Sequence, residues 1–162
     1  MSSTELWLQI AVSPLAMYIG GTAWFPLLES IHVLAATLVF GAILTVDLRL
    51  LGLAGQRYRV SRLVGELVPW SVSAFVMSVI TGVGLFITRA DWYADNVAFQ
   101  IKLGLLLLAG INIAIFHLRT IRSVTQWDES QPTPLAARVA GAASLALWVG
   151  VMLAGRWVGH LL

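Results

Sequence analysis

The fold is decided by residues 24–52, which read WFPLLESIHVLAATLVFGAILTVDLRLLG. From Trp24 to Leu44 nearly every residue is apolar, and this is the length of about 20 residues that a helix needs to cross the hydrocarbon of a bilayer. Glu29 and His32 nevertheless lie one helical turn apart near the start of the run. Ionisable residues inside a membrane segment are costly, so these two are candidate functional residues.

The composition of the whole chain also indicates a membrane protein. Its 162 residues are 59% hydrophobic and 11% charged, whereas a soluble domain is about 45–50% apolar and about 25% charged. Spans are predicted at about residues 24–46, 69–88, 97–118 and 137–157, with Pro69 at the first helical position of the second. Residues 1–21 are predicted to form an interfacial helix, with a re-entrant segment as the alternative. The predicted fold class is an all-α, integral membrane four-helix bundle that forms one domain, residues 1–162.

The basic residues predict the orientation of the bundle. Seven of the ten fall on one side, namely Arg49, Arg57, Arg59, Arg62, Arg119, Arg122 and Arg138. The positive-inside rule makes that side cytoplasmic, which places both termini on the periplasmic side of a bacterial inner membrane. The chain contains no cysteine, which excludes disulfides, thiolate metal sites, iron–sulfur clusters and covalently attached c-type haem.

Two histidines are predicted in opposite halves of the membrane. His32 is eight residues past Trp24, about 12 Å below the outer interface at 1.5 Å per residue, and His117 is at the inner end of the third span. Each has small helical neighbours: Ala35 and Ala36, and Gly110 and Ala114, respectively. Such neighbours leave room for a flat macrocycle, and b-type haem takes histidine as its axial ligand. One haem b is therefore predicted near each face.

The outer haem is predicted to use several further residues. Glu29 is one turn from His32 and is expected to hydrogen-bond the second ring nitrogen or to stand at the entrance of the site. Arg89 and Lys102 are expected to pair with the haem propionates, and His160 is a candidate second axial ligand. The alternatives are a His32 that bonds a backbone carbonyl or hydroxyl, a Lys102 that snorkels to the interface and a solvated, structurally idle His160.

At the inner side, Arg119 and Arg122 are the candidate partners of the propionates of a haem at His117. The alternative for His117 is again a bond to a backbone carbonyl or hydroxyl. Asn112 is predicted to hydrogen-bond between helices. Asp47 and Arg49 are expected to act as an anchor or a salt bridge near the inner boundary.

The sequence resembles a family of small four-helix bacterial inner-membrane proteins of largely unknown function. The resemblance rests on HVLAATLVFG (32–41), TVDLRLLG (45–52), FQIK (99–102) and AGIN (109–112) with the Phe116-His117 pair, and it covers most of residues 25–120. More loosely, the chain is similar to four-helix membrane b-type cytochromes and to the membrane domain of copper-resistance proteins, which carry an I/L-H-V-L motif. Those cytochromes usually have paired histidines at matching depths, and this chain has only two well-placed ones.

These observations leave three functional interpretations. The first is a haem b protein that transfers electrons across or within the membrane, with a quinone or a redox protein as partner and with haems shared in a homodimer or homotrimer. The second is a copper or other metal-ion transport protein, with an outer metal site formed by His32, Glu29 and His160; His117 is a further candidate metal ligand. The third is a haem-free structural or assembly subunit. Hydrolase chemistry is not expected, because no motif sets a serine beside a base.

Overall fold

A computed structural model describes residues 2–120, 124–128 and 133–160. In chain order its elements are α1 (Ser3–Ala11), α2 (Pro14–Gly20), α3 (Trp24–Leu51), α4 (Val60–Ile87), α5 (Ala90–Asp95), α6 (Val97–Ile115), a π-helical turn (Phe116–Thr120), α7 (Val124–Trp127) and α8 (Leu135–Trp157). Among the described residues, four helices are long and apolar enough to cross a membrane: α3, α4, α6 with its π-turn, and α8. The predicted all-α bundle is confirmed.

The outer surface of the bundle is suited to lipid. Leu34, Leu38 and Leu107 are each 66% exposed, and they lie in the middle of α3 and α6. Exposed leucines at this depth would be unfavourable in water, whereas in hydrocarbon they meet a medium as apolar as themselves. The protein is therefore a multi-pass membrane protein.

The four long helices pack in the order α4, α3, α8, α6. α4 packs on α3, α3 on α8, and α8 on α6. α4 and α6 do not pack along their lengths, although Phe86 of α4 stacks on Phe99 of α6 with ring centroids 5.4 Å apart. We call the end of the bundle that contains Trp24, Ile87, Val97 and Trp157 the termini face, and the end that contains Leu51, Val60, Ile115 and Leu135 the arginine face.

The prediction that the second span starts at Pro69 is wrong. α4 begins at Val60, so Pro69 lies inside the helix. The missing N–H of Pro69 removes one backbone hydrogen bond from the helix. The first turn of α4 is instead capped by a residue distant in sequence: the Asp128 carboxylate accepts hydrogen bonds from the Ser61 backbone N–H, at 3.0 Å, and from the Ser61 hydroxyl. An acceptor at a helix N-terminus satisfies donors that the helix itself leaves free.

The chain begins with two short helices rather than one continuous interfacial helix. In α1, Ser2 and Glu5 form a capping box. Ser13 caps α2 and Pro14 is its first residue, which explains the break between them. α1 packs on α5, and Trp7 meets Phe86 edge-to-face, so this segment is attached to the termini face.

Two apolar clusters hold the bundle together. In its middle, Val39, Ala109, Trp148 and Val151 are buried together. At the arginine face a second cluster joins all four long helices to α7; its members are Leu50, Val60, Phe116, Val124, Trp127 and Ala137. The central cluster separates two polar sites, one nearer each face.

Candidate functional site

The polar site nearer the termini face is built around His32. Its Nδ1 is 2.8 Å from the Ser78 carbonyl oxygen and 3.2 Å from the Thr81 hydroxyl on α4. A nitrogen that contacts a carbonyl oxygen must carry the proton, so Nδ1–H donates and Nε2 keeps its lone pair. Nε2 then accepts a long hydrogen bond, 3.5 Å, from the Lys102 ammonium on α6. His32 therefore connects three elements of the bundle.

Two glycines make room for this pair of side chains. A Cβ on Gly82 would lie 3.0 Å from His32 Cε1 and 3.3 Å from Nδ1, so the imidazole packs directly on the backbone of α4. A Cβ on Gly155 would lie 3.6 Å from Lys102 Nζ, so the lysine side chain lies across α8. The predicted space beside His32 is therefore filled by α4 and by Lys102.

Of the residues predicted to serve a haem at His32, Lys102 contacts the imidazole, and Glu29, Arg89 and His160 lie elsewhere. Both ring nitrogens are engaged without Glu29, which is exposed on α3. Glu29 and the exposed Arg89 instead lie near Tyr93 of α5: burial raises the pKa of the Tyr93 phenol, Arg89 opposes this shift and Glu29 adds to it. Lys102 points inward, which corrects its predicted role at the interface. His160 is exposed at the end of the chain, as the solvated alternative predicts.

The second polar site is a cavity on the arginine-face side of the central cluster. Its volume, measured as space open to the centre of a water molecule, is about 130 Å³, whereas one water needs about 10–15 Å³. Aliphatic side chains of all four long helices line most of it, and the polar lining residues are Asp47, Ser71, Asn112, His117 and Ser144. A site that is mostly apolar with a few convergent polar groups is typical of ligand binding.

Asp47 is the buried acid of this cavity. It is 4% exposed, and the Ser144 hydroxyl on α8 is the hydrogen-bonding neighbour of its carboxyl. The second carboxyl oxygen, Oδ2, has no hydrogen-bond partner in the described part of the chain. A buried polar atom without a partner needs an explanation, such as a water or a ligand.

Of the two roles expected for Asp47 and Arg49, the anchor is confirmed for Arg49 and the salt bridge between them is wrong, because the two side chains leave α3 in different directions. Arg49 is 2% exposed and donates to the Tyr58 carbonyl at 2.8 Å, the Asp128 carbonyl at 3.2 Å and the Thr133 hydroxyl at 3.3 Å. Residues two apart on a helix do not face each other. Arg49 thus anchors the two connections at the arginine face, and Asp47 is left to the cavity.

His117 lies in the π-helical turn that follows α6 and is half-buried. Its Nδ1 is 3.0 Å from the Ile113 carbonyl oxygen, so Nδ1–H donates there and the Nε2 lone pair points away from the helix backbone. π-helical turns occur frequently at functional sites. Nearby, Asn112 Nδ2 donates to the Ala140 carbonyl at 3.1 Å, which confirms the predicted bond between helices. Arg119 is exposed, and Arg122 lies outside the described residues.

The cavity lies between helices that differ in how they pack. Residues of both α4 and α6 line it, and these two long helices do not pack along their lengths. At the arginine face the apolar cluster borders it, and the lining residues Leu50 and Phe116 belong to that cluster. We therefore expect a molecule to reach the described cavity between α4 and α6, from the bilayer.

The two histidines differ in how well their surroundings fit a haem. At His32 the Nε2 lone pair already faces the Lys102 ammonium and α4 presses on the ring, so the residues there do not fit the group. At His117 the bond from Nδ1–H to the Ile113 carbonyl fixes the ring and leaves Nε2 without a hydrogen-bond partner among the described residues, as an axial ligand requires. The cavity that His117 lines, about 130 Å³, is close in size to one that holds benzene and is too small to enclose a porphyrin. The ligand nitrogen fits the group, and the cavity does not. The described residues contain no group of three histidine, aspartate or glutamate side chains that could hold a metal ion.

Fold and site together define the class: a four-helix membrane protein with a cavity between its helices that is lined by an acid and a histidine. Residues 7–161 match the model of a family of unknown function (DUF6644), and the chain belongs to this family. No curated protein and no solved structure shows a significant match to it.

Proposed function

We propose that the protein is a b-type haem protein of the bacterial inner membrane that transfers electrons, with His117 as the axial ligand of one haem. The observation that carries the proposal is that Nε2 of His117, a residue of the cavity wall, has no hydrogen-bond partner among the described residues. The other ring nitrogen, Nδ1, makes the bond to a backbone carbonyl that the sequence left open as the alternative to haem ligation, and this bond holds the imidazole in one tautomer. Because the cavity is smaller than a porphyrin, a haem held by His117 would lie mostly between copies of the chain. The proposal differs from the sequence prediction in having one haem per chain, because His32 is committed to Ser78 and Lys102.

The chain's own residues supply binding, orientation and an apolar surrounding. Ile113 orients the ligand, Asn112 fixes α6 against α8 at the same level, and the aliphatic walls keep water from the site. Arg119 supplies a positive charge at the arginine face, where haem carboxylates would meet the aqueous phase. The bound haem would supply one-electron chemistry, whose potential depends on burial and on hydrogen bonding around it.

The proposal includes a homo-oligomer. Gly110 and Ala114 lie on the same side of α6 as His117 and are exposed, and a Cβ on Gly110 would meet nothing within 4 Å. Small exposed residues allow another membrane helix to approach closely. A second copy that packs there would cover the remaining edge of the site. A membrane quinone or a redox protein is the proposed electron partner, and both termini are proposed to be periplasmic.

The test is a reduced-minus-oxidised visible spectrum of the protein purified after expression with ample haem. We expect a Soret band and a sharp reduced α-band. His117→Ala should abolish them, whereas His32→Gln should retain them, because glutamine can still donate to Ser78 and accept from Lys102. Added imidazole should restore the spectrum of His117→Gly.

Other outcomes are equally informative. A colourless wild-type protein would refute the proposal. Loss of haem in the His32 variant alone would show that His32, and not His117, is the axial ligand. Metal analysis of the same sample then tests the alternative of copper or another metal ion, which stays a prediction from sequence. No contact in the described residues favours that alternative.

A further inference from the structure

We propose that the cavity on the arginine-face side of the central cluster binds a small lipophilic amine, whose nitrogen is held by the Asp47 carboxyl. The ligand class is a primary amine with a hydrocarbon group that fills the apolar part of the cavity. This inference goes beyond the proposed function, because the site lies within one copy of the chain and requires no haem.

The first argument is the size and lining of the cavity. Its volume of about 130 Å³ is close to the roughly 150 Å³ of an engineered apolar cavity that binds benzene. Aliphatic side chains such as Ile43, Leu67 and Val68 line most of it. A cavity with these dimensions and walls takes a compact hydrocarbon group of about the size of benzene.

The second argument is charge. Asp47 is 4% exposed, its Oδ2 has no hydrogen-bond partner among the described residues, and it is the one acid in the described lining. No lysine or arginine of the described residues lines the cavity. Arg49 is held by three oxygens at the arginine face, and Lys102 contacts His32 beyond the central cluster. A buried acid with an unpartnered oxygen and no cation beside it favours a ligand that brings N–H donors and a positive charge.

The third argument is that an amine can reach this acid without carrying a charge through hydrocarbon. We expect entry between α4 and α6, where the uncharged form of an amine is favoured over the ammonium. The buried carboxyl can carry a proton in the empty site, because an isolated carboxylate in hydrocarbon is costly. On binding, that proton passes from the Asp47 carboxyl to the amine nitrogen, and the ammonium and the carboxylate remain in contact. The Ser144 hydroxyl on α8, which hydrogen-bonds the same carboxyl, stabilises the carboxylate that is formed.

The experiment measures saturable binding of radiolabelled 3-methylbutylamine to the purified protein in detergent by equilibrium dialysis, with protein-free micelles as the blank. This amine has as many non-hydrogen atoms as benzene, and 3-methylbutan-1-ol is an uncharged probe of the same size. We expect the alcohol to bind about tenfold more weakly than the amine, or not at all, because it forms no charge-assisted hydrogen bond. Asp47→Asn should weaken binding of the amine by about tenfold or more for the same reason. Glu29→Gln is the matched control, because it neutralises an exposed acid of the same helix, and it should leave binding unchanged.

A second pair of variants tests the cavity with Asp47 intact. Ser71→Leu adds side-chain volume at a lining position of α4 and should abolish binding of the amine. Ser73→Leu is its control, because Ser73 is exposed on the same helix, where it donates to the Pro69 carbonyl outside the cavity, and it should bind as the wild type does.

Three results would each overturn the inference: no saturable binding of the amine to the wild type, binding of the alcohol as tight as that of the amine, or an Asp47→Asn variant that binds the amine like the wild type. None of these measurements depends on the visible spectrum. A colourless protein that binds the amine through Asp47 would therefore refute the haem proposal and leave this inference standing.

Discussion

Replacing Gly82 with alanine should destabilise the bundle through His32. The added Cβ would lie 3.0 Å from Cε1 and 3.3 Å from Nδ1 of the imidazole, so the ring must retreat by a few tenths of an ångström. Retreat stretches the 2.8 Å bond to the Ser78 carbonyl. Overpacking costs about 1–3 kcal/mol and the better helix propensity of alanine returns about 0.5–1 kcal/mol, which leaves a net loss of up to about 2.5 kcal/mol in the free energy of unfolding.

The assay is equilibrium unfolding in mixed micelles, as the fraction of denaturing detergent rises, followed by tryptophan fluorescence. Gly41→Ala on α3 is the matched control, because a Cβ there would meet nothing within 4 Å. We expect that control to be neutral or slightly stabilising. In a His32→Ala background the cost of Gly82→Ala should disappear, since the clashing ring is gone. An equal cost in both backgrounds would refute the reasoning.

Three further predictions concern other contacts and use the same unfolding assay. Arg49→Lys should lower the free energy of unfolding by several kcal/mol, because one ammonium cannot replace three guanidinium bonds worth roughly 1.5–3 kcal/mol each; an unchanged midpoint would contradict this. Asn112→Ala should cost about 0.6 kcal/mol, and at most about 1.7, the range for hydrogen bonds between membrane helices. Burial opposes ionisation of Asp128, but the hydroxyl and backbone donors of Ser61 outweigh it and lower the pKa of this carboxyl. Its contribution to stability is therefore present above the unfolded-state pKa of about 3.9 and is lost as the pH falls through the lower folded-state value. Asp128→Asn should flatten this acid limb, and an acid limb of unchanged slope would count against the cap.

The membrane helices were predictable from sequence because hydropathy is a local property. The start of the first span at Trp24 agrees with the structure, and so does the start of the third span at Val97. The start of α4 was not predictable in the same way. Pro69 is a strong local signal for a first helical position, but the helix is capped by Asp128, which is 67 residues from Ser61.

The sequence predicted which residues form the two polar sites better than it predicted which of those residues contact each other. His32 and Lys102 were both identified as candidates, but spacing along α3 cannot show that α6 turns its lysine towards this imidazole. Glu29 was assigned to His32 because the two are one turn apart, and the rotation of α3 instead leaves Glu29 at the surface. Helix rotation and neighbour order are tertiary properties that one sequence does not encode locally.

The salt-bridge alternative for Asp47 and Arg49 could have been excluded from the sequence. A helical wheel places Asp47 and Arg49 roughly 200° apart, so the periodicity of about 3.6 residues per turn already separates them. The same wheel places Asp47 with Ile43 and Leu50 on the inward side of α3. What the wheel cannot supply is the cavity, because that requires the positions of α4, α6 and α8 at the same depth.

The cavity is lined by α4 and α6, two long helices that do not pack along their lengths, and entry between them determines how occupancy of the cavity should be counted. A molecule that enters from hydrocarbon competes with lipid acyl chains, so its occupancy follows its mole fraction in the membrane rather than its concentration in the buffer. Adding lipid at constant protein and ligand dilutes the ligand and should empty the site. Binding curves measured at several lipid-to-protein ratios should therefore superimpose when plotted against moles of ligand per mole of lipid, and separate when plotted against total concentration.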